Sequence, residues 1–85
     1  MDPRELIRQA AEEQSYFVTA HCLQEMDRDG LSLGQIEHAM LLGAVRKRNA
    51  RSRRYTLVDG DVMTCVEVAS PYEPVTVVTA GRERG

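Results

Sequence analysis

The sequence predicts an α+β domain, with N-terminal helices packed on one antiparallel β-sheet. Three observations predict it. The first half holds three segments with apolar residues at helical spacing, each opened by a capping residue. The second half changes period and alternates apolar with polar side chains. Asp59-Gly60 then separates two of these alternating runs, where a tight hairpin belongs. Helices first and strands afterwards place the helices together on one side of a sheet.

The first helix opens at Asp2, an N-cap, with Pro3 at the first helical position and Glu5 three residues after the cap. Leu6, Ile7, Ala10 and Ala11 form its apolar face. Gln14 to Val18 reads as a linker or a short strand, because Tyr16, Phe17 and Val18 favour extended backbone. Thr19 caps a second helix with Ala20, Leu23 and Met26 on one stripe, ended by Gly30. Ser32 and Gln35 make a capping box for a third helix. Its buried face is Leu33, Ile36, Ala39 and Met40, and Gly43 ends it. Leu41 and Leu42 point off that face and call for cover from another element. Val45 to Arg48 starts the sheet. Arg54 to Val58 and Val62 to Ala69 alternate around the Asp59-Gly60-Asp61 turn, Pro71 and Pro74 bracket another turn, and Val75 to Thr79 is the last strand.

The 85 residues form one domain: 1–14 an extra N-terminal helix, 16–80 the body, and 81–85 a frayed polar tail. With 42% hydrophobic residues and only 5% aromatic, the core must be aliphatic. No apolar run approaches the roughly 18 residues of a membrane span. No basic stretch followed by an apolar one opens the chain, so the expected location is cytoplasmic, with Cys22 and Cys65 as free thiols.

The net charge of −2 conceals a division. Arg46, Lys47, Arg48, Arg51, Arg53 and Arg54 place six of the eleven basic residues in nine positions. The remainder carries five basic and thirteen acidic residues, a net −8. Six clustered cations repel one another unless an anion lies nearby. They suit a phosphate-binding turn between two strands, because a guanidinium holds phosphate oxygens bidentately. A solvated hairpin tip, pairing with the chain's own acidic helices, and an acidic protein partner are the other readings.

His21 sits in the first turn of the second helix with Glu25 four residues on, an i, i+4 pair. It is a candidate general acid or base, or a histidine held by Glu25. His38 belongs to the polar side of the third helix. No metal-ligand spacing, phosphate loop, dinucleotide fingerprint or nucleophile elbow is present, so neither a metal nor a cofactor is expected.

His21, Met26, Gly30, Leu31 and Ser32, then Gly43, Arg54-Tyr55, Gly60 and Val77-Val78-Thr79 resemble the pattern of a widespread family of small bacterial domains of unknown function. That family looks like an outlying branch of the RelE/ParE toxin superfamily, whose members pair two helices with an antiparallel sheet. Its best-known branch cuts messenger RNA on the ribosome. Some members of the unknown-function family resemble partners of small zinc-finger antitoxins. The match covers residues 16 to 80. Asp29 and Glu25 depart from it, standing where the family favours arginine, and Cys22 replaces an alanine.

The resemblance implies a RelE/ParE-like fold and a toxin-like, RNA-directed role. As a metal-independent endoribonuclease, the chain would use His21, Tyr55 and Arg54 as catalytic residues and the 46–54 cations on RNA. Two other classes stay open. One is a binding module without turnover, for RNA or the ribosome or for an acidic partner. The other is an interaction protein that pairs through an exposed Val75–Thr79 edge, as a homo-oligomer or with an antitoxin-like protein.

Overall fold

The computed structural model describes residues 2–83. Its elements are α1 (Pro3–Glu13), β1 (Tyr16–Val18), α2 (Ala20–Asp29), α3 (Leu33–Leu42), β2 (Ala44–Asn49), β3 (Arg54–Asp59), β4 (Val62–Glu67) and β5 (Val75–Arg82). Each helix starts at the expected cap. The Asp2 carboxylate accepts the Arg4 N–H at 3.1 Å, and the Thr19 hydroxyl accepts the Cys22 N–H at 3.1 Å. Ser32 and Gln35 form the full capping box. Such caps satisfy N–H groups that have no partner inside the helix. At the end of α3 the Gly43 N–H donates to the Ala39 carbonyl at 2.8 Å. Gly43 is needed there for close approach, because a Cβ would collide with that carbonyl. Gly60, at φ 62°, supplies the left-handed turn between β3 and β4.

The five strands lie in the order β1-β5-β4-β3-β2. β2, β3, β4 and β5 pair antiparallel in sequence, as expected. β1 instead joins β5 in parallel, with Tyr16 opposite Val75 and Val18 opposite Val77, so the sheet is mixed. A three-residue strand carries no local sign of its direction, and the long path through α2 and α3 permits a parallel return. β5 is therefore interior over Val75–Val77, and the edge expected at Val75–Thr79 is covered there.

β5 also continues through Gly81 and Arg82, which the expected frayed tail would have excluded; Arg84 and Gly85 of that tail lie outside the described residues. Arg82 holds this end in place. Its N–H donates to the Asp29 carboxylate at 3.1 Å, its Nε to the Asp29 carbonyl at 3.0 Å, and its Nη1 to Asp61 at 2.8 Å. One side chain thus ties the last strand to the end of α2 and to the β3–β4 turn. Asp29 is an acid here because it receives this strand.

The helices cover one sheet face. Leu57, Thr64, Val66, Val77 and Ala80 point into it and meet Ile7, Ile36, Ala39 and Met40. The Thr64 hydroxyl donates to the Thr79 carbonyl at 3.1 Å, which satisfies the one polar side chain buried in the core among the described residues. α1 packs on α3 and caps it. Arg4 donates to the Met40, Leu41 and Gly43 carbonyls, the last at 2.9 Å, and Arg8 donates to Leu41 at 3.2 Å. Cations at a helix C-terminus offset its partial negative charge. This supplies the cover expected for Leu41, while Leu42 stays exposed.

The face of α2 is rotated from its expected position, and in α3 Ile36, Ala39 and Met40 are buried as expected while Leu33 is not. Leu23 is 51% exposed and Leu33 47% exposed, while Cys22 and Met26 form the buried stripe of α2. The small thiol lets α2 sit close to β5, and the larger leucine one position on turns outward. No helix among the described residues is long and apolar enough to cross a membrane.

Candidate nucleic-acid interface

The basic segment folds as the β2–β3 hairpin. The Asn49 Oδ1 accepts the Arg51 N–H at 3.1 Å and the Ser52 N–H at 3.2 Å, closing the connection as an Asx turn. Arg53 then adopts φ 59°, a left-handed conformation uncommon outside glycine. Two contacts hold it. Its carbonyl accepts the Val68 N–H at 3.0 Å, and its guanidinium donates to the Ala69 carbonyl at 2.7 Å. The turn is thereby fixed against the segment that follows β4.

Strand alternation sends the six cations to different places. Lys47 pairs with Thr56, Asn49 with Arg54, and Thr56 with Cys65, so these residues share the sheet face away from the helices. Together with Ser52 they line a cleft of about 310 Å³. The Asn49 carbonyl oxygen is already engaged in the turn, which leaves its amide N–H₂ as the free end. The cleft therefore offers a lysine, an arginine, an amide donor and two hydroxyls, with no carboxylate in its lining. Arg48 lies toward the other face, its guanidinium carbon 5.7 Å from the centre of the Tyr55 ring. Arg51 is exposed at the turn.

Arg46 forms an ion pair with Glu83. Among the described residues, no carboxylate comes within ion-pair distance of Lys47, Arg48, Arg51, Arg53 or Arg54. Glu67 stands opposite Arg54 in the strand register without pairing to it. The cluster is thus not neutralised by the acidic helices, and Glu83, its one carboxylate partner among the described residues, lies just past β5.

The three residues considered for catalysis do not converge. Arg54 and Tyr55 are consecutive on β3, so they face opposite sides of the sheet. Tyr55 packs at the margin of the core. His21 is exposed on α2, with its Nε2 3.3 Å from the Glu25 Oε1. That oxygen is buried and receives no hydrogen bond, because the imidazole lies at ion-pair distance without hydrogen-bond alignment. Tyr55, Val66 and Val77 sit in one row across the sheet. Two strand spacings, about 10 Å, separate the first from the last. His21 belongs to the helix that follows β1, beyond Val77. His38, expected to face solvent, is exposed but bonds the Asp59 carboxylate at the end of β3.

Sequence reasoning missed Asn49, Ser52, Thr56 and Cys65 as lining residues. Alternation along 47, 49, 54 and 56 carries the signal for four side chains on one face. Cys65 joins them only through the β3–β4 register. Both cysteines are free, Cys22 buried and Cys65 partly exposed. Burial, helped by the nearby Glu25 charge, pushes the Cys22 thiol up to about 11. Among the described residues, no three of His, Cys, Asp and Glu gather as a set that could hold a metal ion.

Comparison with protein-family models, with curated proteins and with solved structures finds no match for this chain.

Proposed function

We propose that this protein is an RNA-directed domain of the RelE/ParE-like, toxin-like kind, which binds RNA through the β2–β3 hairpin. The carrying observation is the cleft at Lys47, Asn49, Ser52, Arg54 and Thr56, whose polar side chains present donors to an outside group. Phosphate is such a group, because it accepts from every side and carries the compensating charge. Arg51, exposed at the turn, extends the positive surface beside it. The dispersal of His21, Tyr55 and Arg54 favours binding over cleavage by these residues.

Titration of a fluorescent single-stranded RNA at increasing salt tests this reading. Lys47, Arg51 and Arg54 on phosphates give a slope of log K against log salt of about −2. Lys47→Ala with Arg54→Ala should flatten that slope by about 1.4. Absence of binding at low salt would sink the reading.

One observation favours a second reading, an acidic or antitoxin-like protein partner. β2 is an edge strand, and it sets free backbone groups beside Arg46, Lys47 and Arg48. An acidic peptide that binds while RNA does not would select it.

A further inference from the structure

The sheet has a second free edge, and its chemistry differs from that of β2. β1 lies at the end of the strand order with only β5 beside it. Residues Gln14 to Thr19 carry no charge. Phe17 is 63% exposed and shares the open face with Thr76, its register partner. The Thr19 N–H donates to the Val77 carbonyl at 3.1 Å. In a parallel strand, alternate residues turn both backbone groups to the same side. Phe17 and Thr19 therefore face β5, and the N–H and C=O groups of Tyr16 and Val18 face outward.

We propose that β1 is a homodimer interface, with two copies of this chain pairing antiparallel about a twofold axis through Phe17. The outward groups fit that arrangement. Tyr16 lies opposite the partner's Val18, and each pair exchanges both of its backbone hydrogen bonds. Phe17 lies opposite the partner's Phe17 at a non-hydrogen-bonded position. There the Cα atoms approach to about 4.5 Å and the side chains come closest. An aromatic pair at such a position is favourable. Charge selects this edge over the other one. Two β2 strands brought together would oppose Arg46, Lys47 and Arg48 with their own copies, which is how natural sheets block edge association.

The axis stands perpendicular to the sheet, so the two five-stranded sheets become one and both open faces look the same way. The two donor-lined clefts then lie on one surface. Seven strand spacings separate β3 from its copy, about 34 Å along the sheet.

The proposal does not depend on RNA, and its test uses none. Sedimentation of the full chain up to about 1 mM should show a concentration-dependent dimer. A monomer throughout that range overturns the proposal. Phe17→Lys should weaken the dimer at least about tenfold while leaving the melting temperature of the monomer unchanged. A dimer indifferent to this change would also overturn the proposal. Phe17→Cys in a Cys65→Ser background provides an arm that needs no folded Lys variant. The twofold position brings the two introduced thiols within disulfide reach, and mild oxidation should yield a covalent dimer. Failure to cross-link at a concentration where the wild-type chain dimerises rejects this register.

Discussion

The two faces of the sheet are built from the same strands and do opposite work. Toward the helices, β3 and β4 present Leu57, Thr64 and Val66, all fully buried. Away from them, the intervening positions present Arg54, Thr56 and Cys65, half-buried or exposed and lining the cleft. A period of two separates the residues that fold the chain from those that line the cleft. Substitutions on the two faces should therefore have separable consequences.

The largest effect belongs to the packed face. Leu57→Ala removes a buried side chain between β3 and α3, and should cost about 2–5 kcal/mol, read as a fall in the denaturant midpoint. A loss below about 1 kcal/mol would mean that the helices do not press on this face. On the open face, Lys47→Ala with Arg54→Ala should reduce RNA affinity at least about tenfold. Stability should move by no more than about 0.5 kcal/mol, because neither side chain is packed. A large loss of stability would break the division between faces.

Asn49→Ala tests the turn that joins them. It removes the one side-chain oxygen that accepts from two backbone N–H groups and should cost about 1 kcal/mol. RNA affinity should fall with it, since the cleft loses its shape as well as a donor.

The cysteines sharpen the same contrast with a smaller signal. A thiol reagent should modify Cys65 in the native protein and Cys22 only on unfolding. The Cys22 pKa is raised by folding, so the neutral thiol is the form the native state favours. The stability it supports is complete below the unfolded value near 9 and is lost as pH rises toward about 11. Tyr16, raised by burial and by its hydrogen bond to Glu37, contributes in the same direction. A denaturant midpoint that stays flat between pH 8 and pH 10.5 would contradict this.

The sequence carries local information well. Asp2, Thr19 and the Ser32–Gln35 pair each announce a helix start within a few residues, and Asp59-Gly60 announces its hairpin. These signals need no knowledge of the rest of the chain. Tyr16–Val18 lacked one, because its direction is set by Val75–Val77 at the far end of the sequence. The rotation of α2 depended on Cys22 fitting beneath β5, which a hydrophobic stripe through Leu23 could not foresee. The basic cluster was plain as composition. Its split between a cleft, a Tyr55 contact and a Glu83 pair appears only once strand faces and the bulge between Val45 and Lys47 are known.

The parallel pairing of β1 with β5 also governs when the molecule can be finished. During synthesis, Tyr16 leaves the ribosome long before Val75, so β1 waits without a partner while two helices and three strands emerge. β4 meanwhile holds an unpaired edge beside Val62, Val66 and Val68. Only when Val75–Arg82 is released do both gaps close, with Arg82 fastening the end. A nascent chain stalled before Val75 presents two adhesive strand edges at once, and the sheet closes only after β5 has emerged.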